Sequence, residues 1–131
     1  MYRASIDIGT NSVLLLIAEQ TEKGLQVLEE AQRLPRLGSM VDSNRLLAKE
    51  SMNKVLEALS EYVAIIQKYG DEVLANTVVT ATSAVRDAAN KQEFLTLVKE
   101  TVGFQVLILS GEEEAKSVSY THLRAHETFA N

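Results

Sequence analysis

The 131-residue chain has no cysteine and no tryptophan, a single proline, six glycines and two histidines. Without cysteine there is no disulfide framework, no thiolate nucleophile and no cysteine-held metal, and the composition suits a reducing compartment. Aromatic residues make up only 5%, so a core must be built mainly from aliphatic side chains. Long apolar runs are also missing: the longest, Val13 to Ala18, is far short of the ~20 residues that span a bilayer. It makes a poor secretory leader, because Asp7 and Asn11 precede it and no small-residue cleavage site follows. Positive charge is in deficit, with 13 Lys and Arg against 18 Asp and Glu for a net −5. That balance argues against nucleic acid or an anionic membrane as the main partner. The apolar share, 46%, is enough for one globular domain with a real core. The expectation is a soluble, cytoplasmic domain.

Strand and helix signals alternate along the chain. Ser5–Ile8, Val13–Glu19 and Leu25–Ala31 read as three strands, separated by turns at Gly9 and at Thr21–Gly24. The stretch from Gln32 to Asn44 holds the only proline, Pro35, and reads as an irregular connection carrying Arg33 and Arg36 as candidate anion contacts. From Ala48 to Tyr69, apolar residues recur at 52, 55, 56, 59, 63, 66 and 69, the spacing of one helical face, with Gly70 as a stop. Val73–Thr80 reads as a β-branched strand. Asn90 to Glu93 has the pattern of a capping box opening a helix that runs to about Thr101, with Gly103 ending it. Phe104–Leu109 reads as a strand covered on both faces, and Ser110 to Glu113 as a second capping box. The predicted order is β-β-β-α-β-α-β-α, an α/β domain with a mixed sheet and helices on its faces.

Three constellations could carry chemistry. The first is Asp7-Ile8-Gly9-Thr10-Asn11-Ser12. An aspartate between isoleucines is costly to bury without a cationic or hydrogen-bonding partner, and Gly9 can take a positive φ and admit a ligand to the backbone. Thr10, Asn11 and Ser12 then offer hydroxyls, an amide and backbone N–H groups, the chemistry of a phosphate cradle. The same residues also make an ordinary turn. The second is Thr80-Ala81-Thr82-Ser83-Ala84-Val85-Arg86, at a strand end where ligands of open α/β sheets bind. Arg86 is the bidentate member. The bland reading is that Ser83 caps a short helix and Arg86 pairs with Asp87 or solvent. The third is Glu112-Glu113-Glu114, whose charges suit the first turn of a helix. Spacing alone favours that reading for all three. His122 and His126 share the i,i+4 spacing of a metal pair. Only Glu127 offers a third ligand and the segment lacks an apolar face, so no metal site is expected there.

Taken in order and spacing, residues 7–12, 81–90 and 109–115 resemble the exopolyphosphatase / guanosine pentaphosphate phosphohydrolase family. The resemblance runs from residue 1 to about 116. It implies a ribonuclease-H-like lobe of the actin-like ATPase superfamily, the first of two lobes that close over a phosphate chain. It implies further that Asp7 faces Mg²⁺ through water, that Gly9, Thr10, Asn11 and Ser12 form a phosphate loop, and that Arg86 steadies the substrate. Glu114 matches the family's catalytic base. The implied substrates are inorganic polyphosphate or guanosine penta- or tetraphosphate, with a homodimer compatible with a longer parent.

The second glycine-rich loop of such proteins, of the Asp-Ile-Gly-Gly-Gly-Ser type, does not occur in the chain. Residues 117–131 do not continue the family pattern and resemble translated adapter DNA, so the domain is expected to span 1–116. Two other function classes stay open at this point. One is an ATP-binding relative of actin or the sugar kinases, and the other a non-catalytic module that senses a phosphorylated nucleotide.

Overall fold

A computed structural model describes residues 1–35, 37 and 46–110. Strands β1 (Tyr2–Ile8), β2 (Val13–Thr21) and β3 (Gly24–Arg33) open the chain. Helices α1 (Lys49–Gln67) and α2 (Asp71–Ala75), strand β4 (Val78–Ala81), helices α3 (Ser83–Arg86) and α4 (Lys91–Val102), and strand β5 (Val106–Ile108) follow. The sheet order is β3-β2-β1-β4-β5. β1 and β2 pair antiparallel from Tyr2↔Glu19 to Ile8↔Val13, and β3 pairs antiparallel with β2 across a bulge at Ile17/Ala18. β4 lies parallel to β1, with Asp7 opposite Thr80, and β5 parallel to β4. The expected mixed sheet is present, and the C-terminal ends of three parallel strands meet on one edge.

Side-chain alternation decides what each face does. Ala4, Ile6 and Ile8 of β1, Val13, Leu15 and Ile17 of β2, and Val79 and Ala81 of β4 point into one core. That core is closed by Met52, Val55, Leu59, Tyr62 and Ile66 of α1 and by Phe94 and Val98 of α4. The intervening residues of the strands face the other way: Leu14, Leu16 and Ala18 form a small separate cluster with Leu25, beside the polar Ser5, Asp7 and Thr80. The described helices thus pack on a single face of the sheet.

Three expectations need correcting. The stretch from Val73 to Thr80 divides: residues 71–75 form α2, and only Val78–Ala81 is strand. Gly70, at φ 124°, starts the short helix, and Val73 and Leu74 reach the core from it. The run from Phe104 to Leu109 gives only a three-residue strand at the edge of the described sheet, with Leu107 52% exposed; the described helices cover one face of the sheet and leave the other open. The capping box at Asn90 does not form. Asn90 is the N-cap of α4 without a side-chain cap bond. Its amide instead accepts from the Leu47 N–H at 2.8 Å and donates to the Leu47 carbonyl at 3.1 Å, tying α4 to the chain just before α1. Gly103 does end α4, at φ 81° with its N–H on the Lys99 carbonyl. The helix expected from Ser110 onward lies outside the described residues.

Tyr62 is the aromatic anchor of this packing. It is fully buried, and its hydroxyl donates to the Val13 carbonyl at 2.6 Å, with the Ala31 carbonyl at 3.3 Å. One side chain of α1 therefore grips β2 and β3 together. Burial pushes its phenol up to about 12, opposed by the Arg33 guanidinium and reinforced by Glu61. Because the folded phenol holds its proton more tightly than the unfolded one, its contribution is intact below pH ~10 and is lost as pH rises toward about 12. Tyr62→Phe should cost about 1–2 kcal/mol in urea unfolding at pH 7 and should flatten the loss of stability above pH ~10. An unchanged alkaline limb would remove Tyr62 as its cause.

Candidate active site

The edge where β1, β4 and β5 end gathers the first two constellations. β1 and β2 are joined by a tight turn in which the Gly9 N–H donates to the Ser12 carbonyl at 2.8 Å, one step beyond the last rung, Ile8↔Val13. Thr10 and Asn11 occupy the tip, and Asn11 is exposed. Gly9 does not take the positive φ that its position suggested: among the described glycines that conformation occurs at 24, 70 and 103. A Cβ at Gly9 would sit 3.4 Å from the Ser12 carbonyl oxygen, an ordinary contact. Backbone strain therefore does not demand glycine here.

Across the edge, the backbone leaves β4 through Thr82, whose N–H donates to the Ile8 carbonyl at 3.2 Å. α3 begins at once, anchored by the buried Val85. The capping role considered for Ser83 is not found, because Thr82 is the N-cap and no side chain caps α3. The Ser83 hydroxyl instead lies 3.1 Å from that of Thr10. One strand rung deeper, the Thr80 hydroxyl donates to Asp7 Oδ1 at 3.2 Å. Asp7 is half-buried between Ile6 and Ile8, each 1% exposed. The Thr80 hydroxyl answers part of the desolvation cost of that carboxylate. Thr80 belongs to the second sequence constellation, and its pairing with Asp7 follows only from the β1–β4 register.

Arg86 closes the same edge. Its Nη1 donates to the Leu109 carbonyl at 3.2 Å, and its Nε pairs with Asp87 at 3.3 Å. The pairing with Asp87 in the bland reading is thus present, while Leu109 is an added partner. The Leu109 N–H donates in turn to the Ala81 carbonyl at 2.9 Å, so Arg86 straps the exit of β5 to the end of β4. Arg33 is committed elsewhere. It forms a 2.9 Å ion pair with Glu61 and lies over the Tyr62 ring. Arg36, Glu112, Glu113, Glu114, His122 and His126 lie outside the described residues.

Among the described residues no group of three His, Cys, Asp or Glu side chains could hold a metal ion. A single carboxylate is enough for Mg²⁺, which keeps several waters and is commonly held by one or two carboxylates plus phosphate oxygens. Asp7, at the strand ends and beside the two turns, fits that kind of donor. No helix of the described residues is long and apolar enough to cross a membrane. A groove of about 770 Å³ lies at the opposite end of β1, lined by Tyr2, Arg3, Tyr69 and Asp71 among others, and includes none of the strand-end residues.

Residues 16–127 match the model of the Ppx/GppA phosphatase family. The chain belongs to that family. Among curated relatives it is 37% identical over 118 residues to the bifunctional 3-dehydroquinate synthase/phosphatase of Fusobacterium nucleatum, covering 86% of this chain and 18% of that protein. It is 32% identical over 115 residues to the guanosine-5′-triphosphate,3′-diphosphate pyrophosphatase of Pseudoalteromonas translucida, covering 88% and 22%. The crystal structure of an exopolyphosphatase from Cytophaga hutchinsonii superposes with a TM-score of 0.81 at 27% identity, over 88% of this chain and 36% of that one. The chain thus spans about a fifth of the curated relatives' length. The agreement with that structure is one of fold as well as sequence: the five-stranded sheet belongs to the actin-like, ribonuclease-H-like architecture of Ppx/GppA proteins.

Replacing Arg86 tests the strap. Arg86→Ala should speed hydrogen exchange of the Leu109 amide about fivefold or more, with the Ile8–Val13 rung unchanged. Unaltered exchange at Leu109 would show that Arg86 does not hold the exit of β5.

Proposed function

We propose that these residues form the first lobe of a phosphoanhydride hydrolase that releases the terminal phosphate of inorganic polyphosphate, with guanosine pentaphosphate as the alternative substrate. The observation that carries the reading is the meeting of the two hydroxyl-rich turns at the parallel strand ends, joined by Thr10 and Ser83 and backed by Asp7. The relatives' names, a guanosine pentaphosphate pyrophosphatase and an exopolyphosphatase, point to the same class of substrate.

In this reading Gly9, Thr10, Asn11 and Ser12 receive phosphate oxygens through N–H and O–H donors, and Arg86 meets their charge with a guanidinium. Glu114 takes a proton from water as the water oxygen bonds to the terminal phosphorus; the bridging P–O bond breaks, and the shortened chain leaves with that oxygen. Mg²⁺, held by Asp7 through water, would offset charge on the phosphoryl oxygens. A second lobe must shut out solvent, since electrostatic contacts open to water are worth a fraction of their value in a closed cleft. The proposed setting is the cytoplasm, and a homodimer is proposed only for the longer parent.

Two measurements test this. The 131-residue chain should hydrolyse tripolyphosphate negligibly, whereas the two-lobed parent should turn it over. In that parent, Glu114→Gln should lower turnover about 10²- to 10⁴-fold and leave polyphosphate binding intact. Full activity in the variant would overturn Glu114 as the base. A parent that binds polyphosphate and the guanosine nucleotide but hydrolyses neither would mark a sensing module instead.

A further inference from the structure

The Thr10–Ser83 contact is unusual in what it joins. The two residues are 73 positions apart, one at the tip of the β1–β2 turn and the other at the first position of α3, and both are half-buried. Each hydroxyl carries one hydrogen and two lone pairs. At 3.1 Å one hydroxyl donates to the other, leaving a second hydrogen for another acceptor. As a mere tie between turns the contact is weak, because a neutral hydrogen bond open to water contributes about 1 kcal/mol or less.

We infer that Ser83 is a phosphate ligand in its own right, and that the Thr10–Ser83 hydroxyl pair is a two-donor seat for one non-bridging oxygen of the substrate's phosphoryl group. The inference rests on the phosphate-site reading above and names a residue that the family resemblance did not supply. An oxygen about 2.7 Å from both hydroxyls would close a nearly equilateral triangle on the existing 3.1 Å separation. At their present separation both hydroxyls are then within donor distance of one oxygen. The exchange replaces one neutral hydrogen bond with two charge-assisted ones, which are roughly twice as strong each. The seat also couples the turns: a phosphate held by Thr10 and Ser83 binds β1 and β4 through the same atom, while Asp7 and Thr80 hold the strands in register beneath it.

The test is an NMR titration of the 131-residue chain with tripolyphosphate, following the amides of residues 9–12 and 82–86. Ser83→Ala should weaken binding about tenfold or more. Ser83→Thr should restore it, and Ser83→Cys, with a weak donor of similar size, should behave like the alanine variant. Thr10→Ala combined with Ser83→Ala should weaken binding further than either change alone, because each removes one of the two donors. Retained spectral dispersion shows that the variants fold, and the threonine and cysteine variants decide the point if the alanine variant does not. Wild-type binding with unchanged affinity in the alanine and cysteine variants would overturn the seat and leave the phosphate site standing. No response of these amides in the wild type would overturn the phosphate site and the seat with it.

Discussion

The arrangement depends on where an aspartate can go when it sits between two isoleucines that must be buried. Ile6 and Ile8 are drawn into the core under α1 and α4, and the two-residue period of a strand then sends Asp7 to the opposite face. There it stands level with Thr80 because β1 and β4 are parallel and in register. Shifting the pairing by one residue would put the carboxylate among the core side chains and an isoleucine at the strand-end site. Hydrophobic burial thus sets the orientation of the polar group, and the hydroxyl of Thr80 accepts the consequence.

From that register the rest of the edge is built. The turn after β1 and the turn after β4 emerge side by side, which is why Thr10 and Ser83 meet. β5 is added beyond β4, and Arg86 reaches it at Leu109. On the other face of the sheet, Tyr62 and Asn90 do comparable work with backbone carbonyls and N–H groups that would otherwise be left to less well-placed partners. Polar side chains on helices thereby fix the positions of strands and connections, where apolar contacts alone would allow sliding.

Much of this was legible beforehand because it rests on periodicity. The long helix, the opening meander and the parallel strands follow from spacing of 3.6 or 2 and from well-placed glycines. Val73 misled because β-branching favours strands while its neighbours, Asp71 and Glu72, favour a helical first turn, and one short turn of helix won. Asn90 misled because a side chain able to cap can also bind a distant backbone, and Leu47 lies 43 residues away. The site residues were recognisable as chemistry, yet the pairs Asp7–Thr80 and Thr10–Ser83 were not, since each bridges 73 positions. Tyr62 was passed over although it sits three residues after Leu59 and four before Ile66, the correct helical positions for the core.

The bulge between β2 and β3 has a consequence for the molecule's behaviour in company. β3 is ten residues long, and among the described residues no other strand lies on its far side. A flat border of that length would offer its free peptide groups to a neighbouring molecule and could seed stacking of many chains. The register shift at Ile17/Ala18 bends the border midway, and Glu29, Glu30 and Arg33 set charges along it. An approaching copy meets a bent rim whose exposed Val27 and Leu28 are followed by charges, instead of a straight apolar template, so the outermost described strand works against growth of the sheet.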